Sequence, residues 1–239
     1  MTDQNVEIGV VHYGPEVATE DELRLLGDLK SKRVVELGCG DARCSIAFAK
    51  QGATAIAVDS DSDALATARV LVDREEVRVE LRHGDLADLA FLRADSVDLV
   101  FSAFAFGQVE DLNRILRQAH RVLKVGAPIV FSLPHPAYAM LAEDEAQPFR
   151  IGRSYFDRSP VRQPSAGGAG GAGGAGGAQV AEYPHTVEEI FAGLVRASYR
   201  VDAIIEPEPR TGGPRTPQWR EAFRFVPRTL IVRARKEGN

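Results

Sequence analysis

A glycine-rich stretch near the amino end carries the clearest chemical signal in this sequence. Residues 33–43 read RVVELGCGDAR, in which an apolar run stops at the carboxylate of Glu36 and two glycines follow, Gly38 and Gly40. A helical pattern begins at about Ala42. This order predicts a strand, a tight turn and a helix N-terminus, an arrangement in which backbone without side chains can approach a nucleotide closely.

A carboxylate further along the chain strengthens the nucleotide interpretation. Residues 54–58 are predicted to form a second strand, which ends in Asp59 and is followed by Ser60. A carboxylate at the tip of this strand, about twenty residues past the glycines, would hold the hydroxyl groups of a ribose. The simpler alternative is a glycine-rich turn that binds no ligand.

The spacing of the glycines separates two classes of nucleotide. A dinucleotide fingerprint requires a third glycine where this chain has Arg43, whose side chain would crowd the helix against the strand. The run from Glu36 to Ala42 reads E-x-G-x-G-x-A instead. This pattern resembles the glycine-rich motif of the class I S-adenosylmethionine-dependent methyltransferases, of the small-molecule type found in bacteria. The resemblance extends over residues 32–136, and Ala42 stands where the family has its third glycine.

The resemblance implies S-adenosylmethionine as the cofactor and assigns residues to it. These residues lie on the turn or near the ends of predicted strands, and they are Glu36, Gly38, Cys39, Gly40, Asp59, Ser60, Asp85, Leu86 and Ser102. By the same resemblance, Asp85 accepts the exocyclic amine of adenine and Leu86 packs on the ring. The structural alternative for Asp85 is a carboxylate that only stabilises its own turn.

The best candidate for a general base is His135. It lies in the run SLPHP, which the predicted fifth strand over residues 128–133 delivers to the ligand edge of the sheet. The flanking prolines restrict the backbone on both sides, so the imidazole is presented rigidly. An unperturbed imidazole titrates at about 6.5, which suits proton transfer near neutral pH. The alternative is a turn histidine that only shapes the pocket.

A second set of candidates would contact the acceptor or close over it. It comprises residues of the N-terminal segment, the loop after the fourth strand and a predicted cap, namely His12, Tyr13, Phe104, Arg153 and Tyr155. In the family the N-terminal segment often folds over cofactor and substrate. The alternatives are an aromatic ring that packs the tail onto the surface and arginines that are ordinary surface charge.

One α/β domain over residues 1–239 is the default for this length, with a cap inserted at 137–185. The cap is predicted because the sheet pattern breaks after the fifth strand for longer than an ordinary loop. Residues 167–178 read GGAGGAGGAGGA, a repeat that cannot build a core and is expected to be a flexible spacer.

The family implies a Rossmann-like sheet of seven strands in the order 3-2-1-4-5-7-6, with strand 7 antiparallel and helices on both faces. Periodicity predicts helices over residues 19–28, 42–51 and 110–124. Strands are predicted over 76–82, 96–101, 199–205 and 229–234. Thr186 and Glu189 are spaced as a capping box at the start of a further helix.

Composition limits the classes of partner. The formal net charge is -5, and a general nucleic-acid surface would need a basic stripe. No apolar run reaches about 18 residues, and the first residues lack the pattern of a signal peptide. Two cysteines, Cys39 and Cys44, are too few for a disulfide scaffold, and no metal-ligand set is visible. We expect a cytoplasmic protein with a small-molecule partner and without nucleic acid, membrane or metal.

The sequence therefore favours a methyltransferase that uses S-adenosylmethionine to methylate a small molecule, with a hydroxyl group as the first choice of acceptor. One alternative is an NAD(P)-dependent Rossmann oxidoreductase, against which Arg43 argues. Another is a protein that binds S-adenosylmethionine as a sensor or scaffold without catalysis.

Overall fold

The computed structural model describes residues 8–142, 147, 149–164, 179–210, 215 and 219–238. Its strands are β1 Arg33–Leu37, β2 Thr54–Asp59, β3 Val79–His83, β4 Leu99–Ala103, β5 Pro128–Pro134, β6 Val161–Pro164, β7 Gln179–Glu182, β8 Tyr199–Ile205 and β9 Thr229–Lys236. Its α-helices are α1 Glu20–Leu23, α2 Arg43–Lys50, α3 Ser62–Arg74, α4 Leu112–Val122 and α5 Val187–Arg196. Short 3-10 helices cover Ala105–Gln108, Tyr138–Met140 and Glu221–Arg224.

Seven of these strands form one sheet in the order β3-β2-β1-β4-β5-β9-β8. The first five run parallel, and β9 lies antiparallel between β5 and β8. The hairpin β6–β7 is separate and falls between β5 and α5 in the chain. The predicted strand order and the antiparallel position of the last strand are confirmed, since β8 and β9 correspond to the sixth and seventh strands of the expected sheet.

Alternate residues of the central strand β1 serve two cores, one on each face of the sheet. Val34 packs in the same cluster as Phe48 of α2, whereas Val35 packs with Ile115 of α4 and Leu194 of α5. This alternation follows from the two-residue period of a strand. Because both faces are covered by helices, the strand must be apolar on both, which explains the continuous run that precedes the glycine turn.

The first predicted helix is shorter than the expected range of 19–28. The helix ends at Leu23, and the next residue, Arg24, adopts a left-handed conformation with φ of 51°. The carboxylate of Glu20 accepts hydrogen bonds from the backbone N–H groups of Leu25 and Leu26, at 2.9 and 2.8 Å. A side chain therefore satisfies donors that a longer helix would have paired with carbonyls, which is the competition that acidic residues bring to a helix.

Two other boundaries lie a few residues later than expected. The strand predicted over 76–82 becomes β3, because Glu76 is left-handed, with φ of 53°, and still belongs to the preceding turn. The strand predicted over 96–101 becomes β4, since Val97 makes only an isolated bridge, to Leu123. The loops that follow the five parallel strands keep their place, because each strand still ends at the same edge of the sheet.

The inserted region at 137–185 contains the 3-10 turn at 138–140 and the hairpin β6–β7 in its described parts. The predicted spacer at 167–178 lies outside the described residues, and the division into one domain with a cap stays a prediction. In the ranges that the structure describes, no helix combines the length and apolar character needed to cross a bilayer.

Candidate active site

The glycine turn after β1 is packed so closely that a side chain would not fit. Gly38 has φ of 75°, and a Cβ placed on it would lie 2.0 Å from the Cβ of Ala105. The backbone N–H groups of Gly38 and Cys39 both donate to the carbonyl of Val58, at 2.8 and 3.1 Å. The turn is therefore held against the end of β2 and against the loop that follows β4, which leaves only glycine at its first position.

Asp59 joins this turn to the start of α3. Its side chain is buried, with Oδ2 accepting the N–H of Gly40 at 2.7 Å and Oδ1 accepting the N–H of Asp61 at 2.9 Å. A carboxylate has about four acceptor sites, so two remain for ligand hydroxyl groups. Asp59 thus serves a structural purpose and still presents acceptor capacity at the strand tip.

A cavity of about 310 Å³ opens beside the turn. Five of the nine predicted cofactor residues line it, namely Gly38, Asp59, Ser60, Asp85 and Leu86. We call this the nucleoside cavity. It is bounded across from the turn by the 3-10 helix at 105–108, through Ala105 and Gln108.

The other four predicted cofactor residues do not line this cavity. Glu36, Cys39 and Ser102 are buried beneath it, and Gly40 lies in the turn with its N–H on Asp59. The hydroxyl of Ser102 donates to the carbonyl of Leu37 at 2.8 Å, which ties β4 to β1. The structure thus gives Ser102 a role in supporting the turn from below.

Glu36 is a buried acid under the turn. Its Oε2 accepts both the N–H and the hydroxyl of Ser45, at 2.8 and 2.5 Å, while its Oε1 has no hydrogen-bond partner among the described residues. Burial raises the pKa of this carboxyl, the Ser45 bonds oppose that effect, the charges of Asp41 and Asp59 add to it, and the resulting pKa is about 8. At neutral pH the free protein therefore holds much of this group in its protonated form.

His135 is also buried and has both ring nitrogens engaged. Its Nδ1 accepts the N–H of Ala137 at 3.1 Å, so its Nε2 carries the proton and donates to Oε1 of Glu206 at 2.7 Å. Glu206 is half exposed. The carboxylate fixes the tautomer and orientation of the imidazole, as in hydrolase triads. The prolines beside His135, Pro134 and Pro136, line a second cavity.

This second cavity, of about 320 Å³, lies under the inserted region, and we call it the cap cavity. Gly107 forms part of its wall, and its charged lining residues are Arg150, Arg153 and Glu182. Of the predicted acceptor residues, Arg153 lines this cavity. Tyr155 does not, because its hydroxyl accepts the N–H of Val187 and its ring packs on a neighbouring phenylalanine.

The N-terminal candidates lie in the core. Tyr13 is fully buried, packs edge-on against Phe101 and donates its hydroxyl to Glu20 at 2.5 Å. The carbonyl of His12 lies 3.9 Å from Sγ of Cys44. Phe104 has a left-handed backbone with φ of 63° and packs against Gly14. The segment is thus anchored by an aromatic ring beneath the loop after β4, the packing alternative stated above.

Sequence reasoning missed Glu206, although strand directions provide a signal for it. Glu206 is the first residue after β8, and His135 is the first after β5. Because β9 is antiparallel to both strands, β5 and β8 run in the same direction and end at the same edge. By the same logic Arg228, immediately before β9, lies at that edge, and its carbonyl accepts the N–H of His135 at 2.8 Å.

No group of three or more metal-ligating side chains occurs within the part of the chain that the structure describes. The two cysteines are buried, and burial raises the pKa of both thiols well above their ordinary value.

The sheet order and the glycine turn define the class of this protein, which has the fold of the class I S-adenosylmethionine-dependent methyltransferases. Residues 34–126 match the model of a family described as methyltransferase domain. The comparisons with known proteins support the predicted family and its cofactor, S-adenosylmethionine.

Similar proteins support this assignment. A ubiquinone biosynthesis O-methyltransferase from Pseudomonas syringae is 32% identical over 105 residues, which are 44% of this chain and 45% of that protein. The match thus spans less than half the length of that relative. A solved S-adenosylmethionine-dependent methyltransferase from Mesorhizobium loti is 25% identical with a TM-score of 0.67, covering 90% of this chain and 96% of the other. A proposed methyltransferase of the same type from Listeria monocytogenes has a TM-score of 0.74 at 22% identity, covering 92% and 96%.

The buried Glu36 predicts a pH dependence of stability. Its pKa is about 8 in the folded protein against 4.5 for an ordinary glutamate, so between these values the folded state binds a proton that the unfolded state lacks. The free energy of unfolding should therefore fall as the pH rises from 5 to 8, by up to about 1.4 kcal/mol per pH unit for this proton. Urea unfolding of the cofactor-free protein at several pH values measures the slope.

Glu36→Gln should reduce that slope, because glutamine resembles the protonated acid and does not titrate. Glu80→Gln makes the same change on an exposed side chain of β3 and should leave the slope as in the wild type. Identical slopes for the wild type and both variants would show that Glu36 is ionised throughout this range.

Proposed function

We propose that this chain transfers the methyl group of S-adenosylmethionine to a hydroxyl group of a small-molecule acceptor. The observation that carries the proposal is the arrangement of the two cavities about one short element. Ala105 and Gln108 of the 3-10 helix line the nucleoside cavity, and Gly107 of the same helix lines the cap cavity. A donor and an acceptor bound on the two sides would be neighbours, as transfer between them requires.

The nucleoside cavity fits the cofactor by its own chemistry. The close packing at Gly38 leaves backbone rather than a side chain facing the ligand. We assign the ribose hydroxyls to Asp59, with Ser60 beside it, and the adenine to Asp85 and Leu86. Asp85 is 57% exposed on its side chain and keeps Oδ2 in a long ion pair with Arg114, so it is accessible to the exocyclic amine.

The methionine end of the cofactor would lie at the N-terminus of α2, where backbone N–H groups favour a carboxylate. Glu36 lies under this place with an unpartnered Oε1. We infer that the cofactor's ammonium group is its partner, because a nearby positive charge favours the ionised acid. The bound cofactor supplies an electrophilic methyl group on a sulfonium, so the protein has mainly to orient the acceptor.

His135 is the proposed base for a hydroxyl acceptor. The carboxylate of Glu206 accepts the hydrogen bond from the Nε2–H group of His135, which leaves Nδ1 as the basic nitrogen. In this structure Nδ1 accepts from the N–H of Ala137, and accepting the acceptor's proton requires exchanging that bond. A carboxylate partner stabilises the imidazolium that results. The alternative, in which His135 only shapes the pocket, makes the opposite prediction for turnover.

The hydroxyl acceptor is favoured by the relatives and by the base. The matched relative from Pseudomonas syringae is named as an O-methyltransferase. A hydroxyl group needs to lose its proton during transfer, whereas a neutral amine needs less help, and the His135–Glu206 pair is an arrangement that supplies such help.

A screen of acceptor classes with methyl-labelled S-adenosylmethionine tests the proposed function. We expect label to enter phenols or other hydroxyl compounds and to form methyl ethers, identified by mass spectrometry. Label found only in amines would overturn the hydroxyl assignment. Tight cofactor binding without turnover of any acceptor would favour the non-catalytic sensor, and binding of a nicotinamide cofactor instead would favour an oxidoreductase.

Asp59→Ala should abolish binding of S-adenosylmethionine, with a loss of at least about tenfold, or about 1.4 kcal/mol, measured by calorimetry. Asp59→Asn keeps the size of the side chain and can still accept one backbone N–H, so it separates ligand contact from support of the turn. Asp63→Ala, at the exposed start of α3, is the matched control and should bind normally. Normal affinity in both Asp59 variants would refute the ribose assignment.

His135→Ala should lower turnover of the best acceptor from the screen by about 10²–10⁴-fold, the usual contribution of a general base. Cofactor affinity should stay near that of the wild type, because His135 does not line the nucleoside cavity. Glu206→Gln should lower turnover less, and Glu208→Gln, two residues further along, should not lower it. Unchanged turnover in the His135 variant would assign the residue to pocket shape alone.

A further inference from the structure

Arg228 is a partly buried cation at the carboxyl edge of the sheet with incomplete hydrogen bonding among the described residues. Its guanidinium carbon lies 5.6 Å from the ring centre of Phe104 and 5.2 Å from that of Phe223. Its Nη1 is buried and has no hydrogen-bond partner among the described residues. Leaving a charged donor buried and unpaired is costly, so a protein retains such a group where a partner arrives in the working complex.

The position of Arg228 connects it to both cavities. Phe104 directly precedes the 3-10 helix that lies between them. Phe223 packs edge-on against Tyr138, with ring centres 5.3 Å apart, and Tyr138 lines the cap cavity. The backbone carbonyl of Arg228 accepts the N–H of His135. Arg228 is therefore next to lining residues of the cap cavity and close to the proposed base, although it does not itself line the cavity.

The charged groups around Arg228 are of both signs. Burial lowers the pKa of Arg228, Arg220 adds to that effect, and Tyr138, Glu182 and Glu16 oppose it. An arginine whose ordinary pKa is above 12 keeps its charge under these influences.

The lining of the cap cavity is itself cationic. Two arginines, Arg150 and Arg153, and one carboxylate, Glu182, line it, and Arg153 is also ion-paired with Asp157 at 3.0 Å. The Nε of Arg153 is a second buried guanidinium nitrogen that lacks a hydrogen-bond partner among the described residues. These two unpartnered nitrogens, one on a lining residue and one on a residue next to the lining, favour an anionic ligand over a neutral one.

We propose that Arg228 binds an anionic oxygen group, a carboxylate or a phosphate, on the methyl acceptor. The inference rests on the proposed function, since it takes the cap cavity as the acceptor site. A planar guanidinium whose faces meet aromatic rings presents its N–H groups at its edge, the geometry that pairs with two oxygens of one anion. Arg228 would thus select acidic acceptors and hold their hydroxyl group toward His135.

Trp219 allows a direct test without knowledge of the natural acceptor. It is the single tryptophan of the chain, and its ring centre lies 5.6 Å from that of Phe223, which contacts Arg228. We would titrate the protein, loaded with S-adenosylhomocysteine, with 4-hydroxybenzoate, with 4-hydroxyphenyl phosphate and with neutral 4-hydroxybenzamide. At least one anionic probe should change the tryptophan emission saturably. Its half-saturation concentration should be at least tenfold lower than that of the amide.

Variants separate anion binding from a structural role. Arg228→Met should lose the preference for the anionic probe by at least tenfold and should raise the thermal stability of the free protein, since it removes an unpaired buried charge. Arg228→Lys should keep part of the preference. Arg224→Met, an exposed arginine on the neighbouring 3-10 helix, should behave as the wild type.

The outcomes distinguish this inference from the function on which it rests. Normal affinity for S-adenosylmethionine and normal acceptor labelling, with an anion preference unchanged in Arg228→Met, would overturn the inference and leave the methyltransferase intact. The inference would also be overturned if no anionic probe binds better than the amide. Loss of stability in Arg228→Met, with Arg228→Lys restoring stability but no anion preference, would show that the side chain is structural. Failure of the proposed function would appear earlier, as absent cofactor binding or labelling.

Discussion

The carboxylate of Asp59 is the constraint on which the ligand edge of this molecule depends. Its two oxygens fix the second glycine of the turn and the start of α3, and the carbonyl of Val58 beside it fixes the first part of the same turn. The ends of β1 and β2 are thus joined by three hydrogen bonds, two to the carbonyl of Val58 and one to the carboxylate of Asp59. A rigid, uncluttered turn of this kind is what a large nucleoside needs as its support.

Local chemistry could be predicted wherever neighbouring residues decide the structure. The capping box at Thr186 and Glu189 forms as its spacing indicates, with both reciprocal hydrogen bonds present. The apolar run of β1 predicted a strand, and the glycines marked the turn. These features depend on residues within one or two turns of each other, so the sequence displays them directly.

Features that depend on distant partners could not be predicted in this way. The helix expected at 19–28 stops early because Glu20 turns its carboxylate onto later backbone groups. The partner of His135 comes from 71 residues further on, and the position of Arg228 at the same edge follows from the insertion of β9 between β5 and β8. Tyr13, which could have faced a ligand, is held in the core by Phe101. Long-range packing decided each of these cases.

The 3-10 helix at 105–108 has a consequence for how the two ligand spaces communicate. Four residues form a common wall, with Gly107 facing one side and Ala105 packed onto Gly38 at the other. Any displacement of this wall enlarges one space at the expense of the other. Any factor by which a ligand on one side changes affinity on the other is matched in the reverse direction, because thermodynamic coupling is reciprocal.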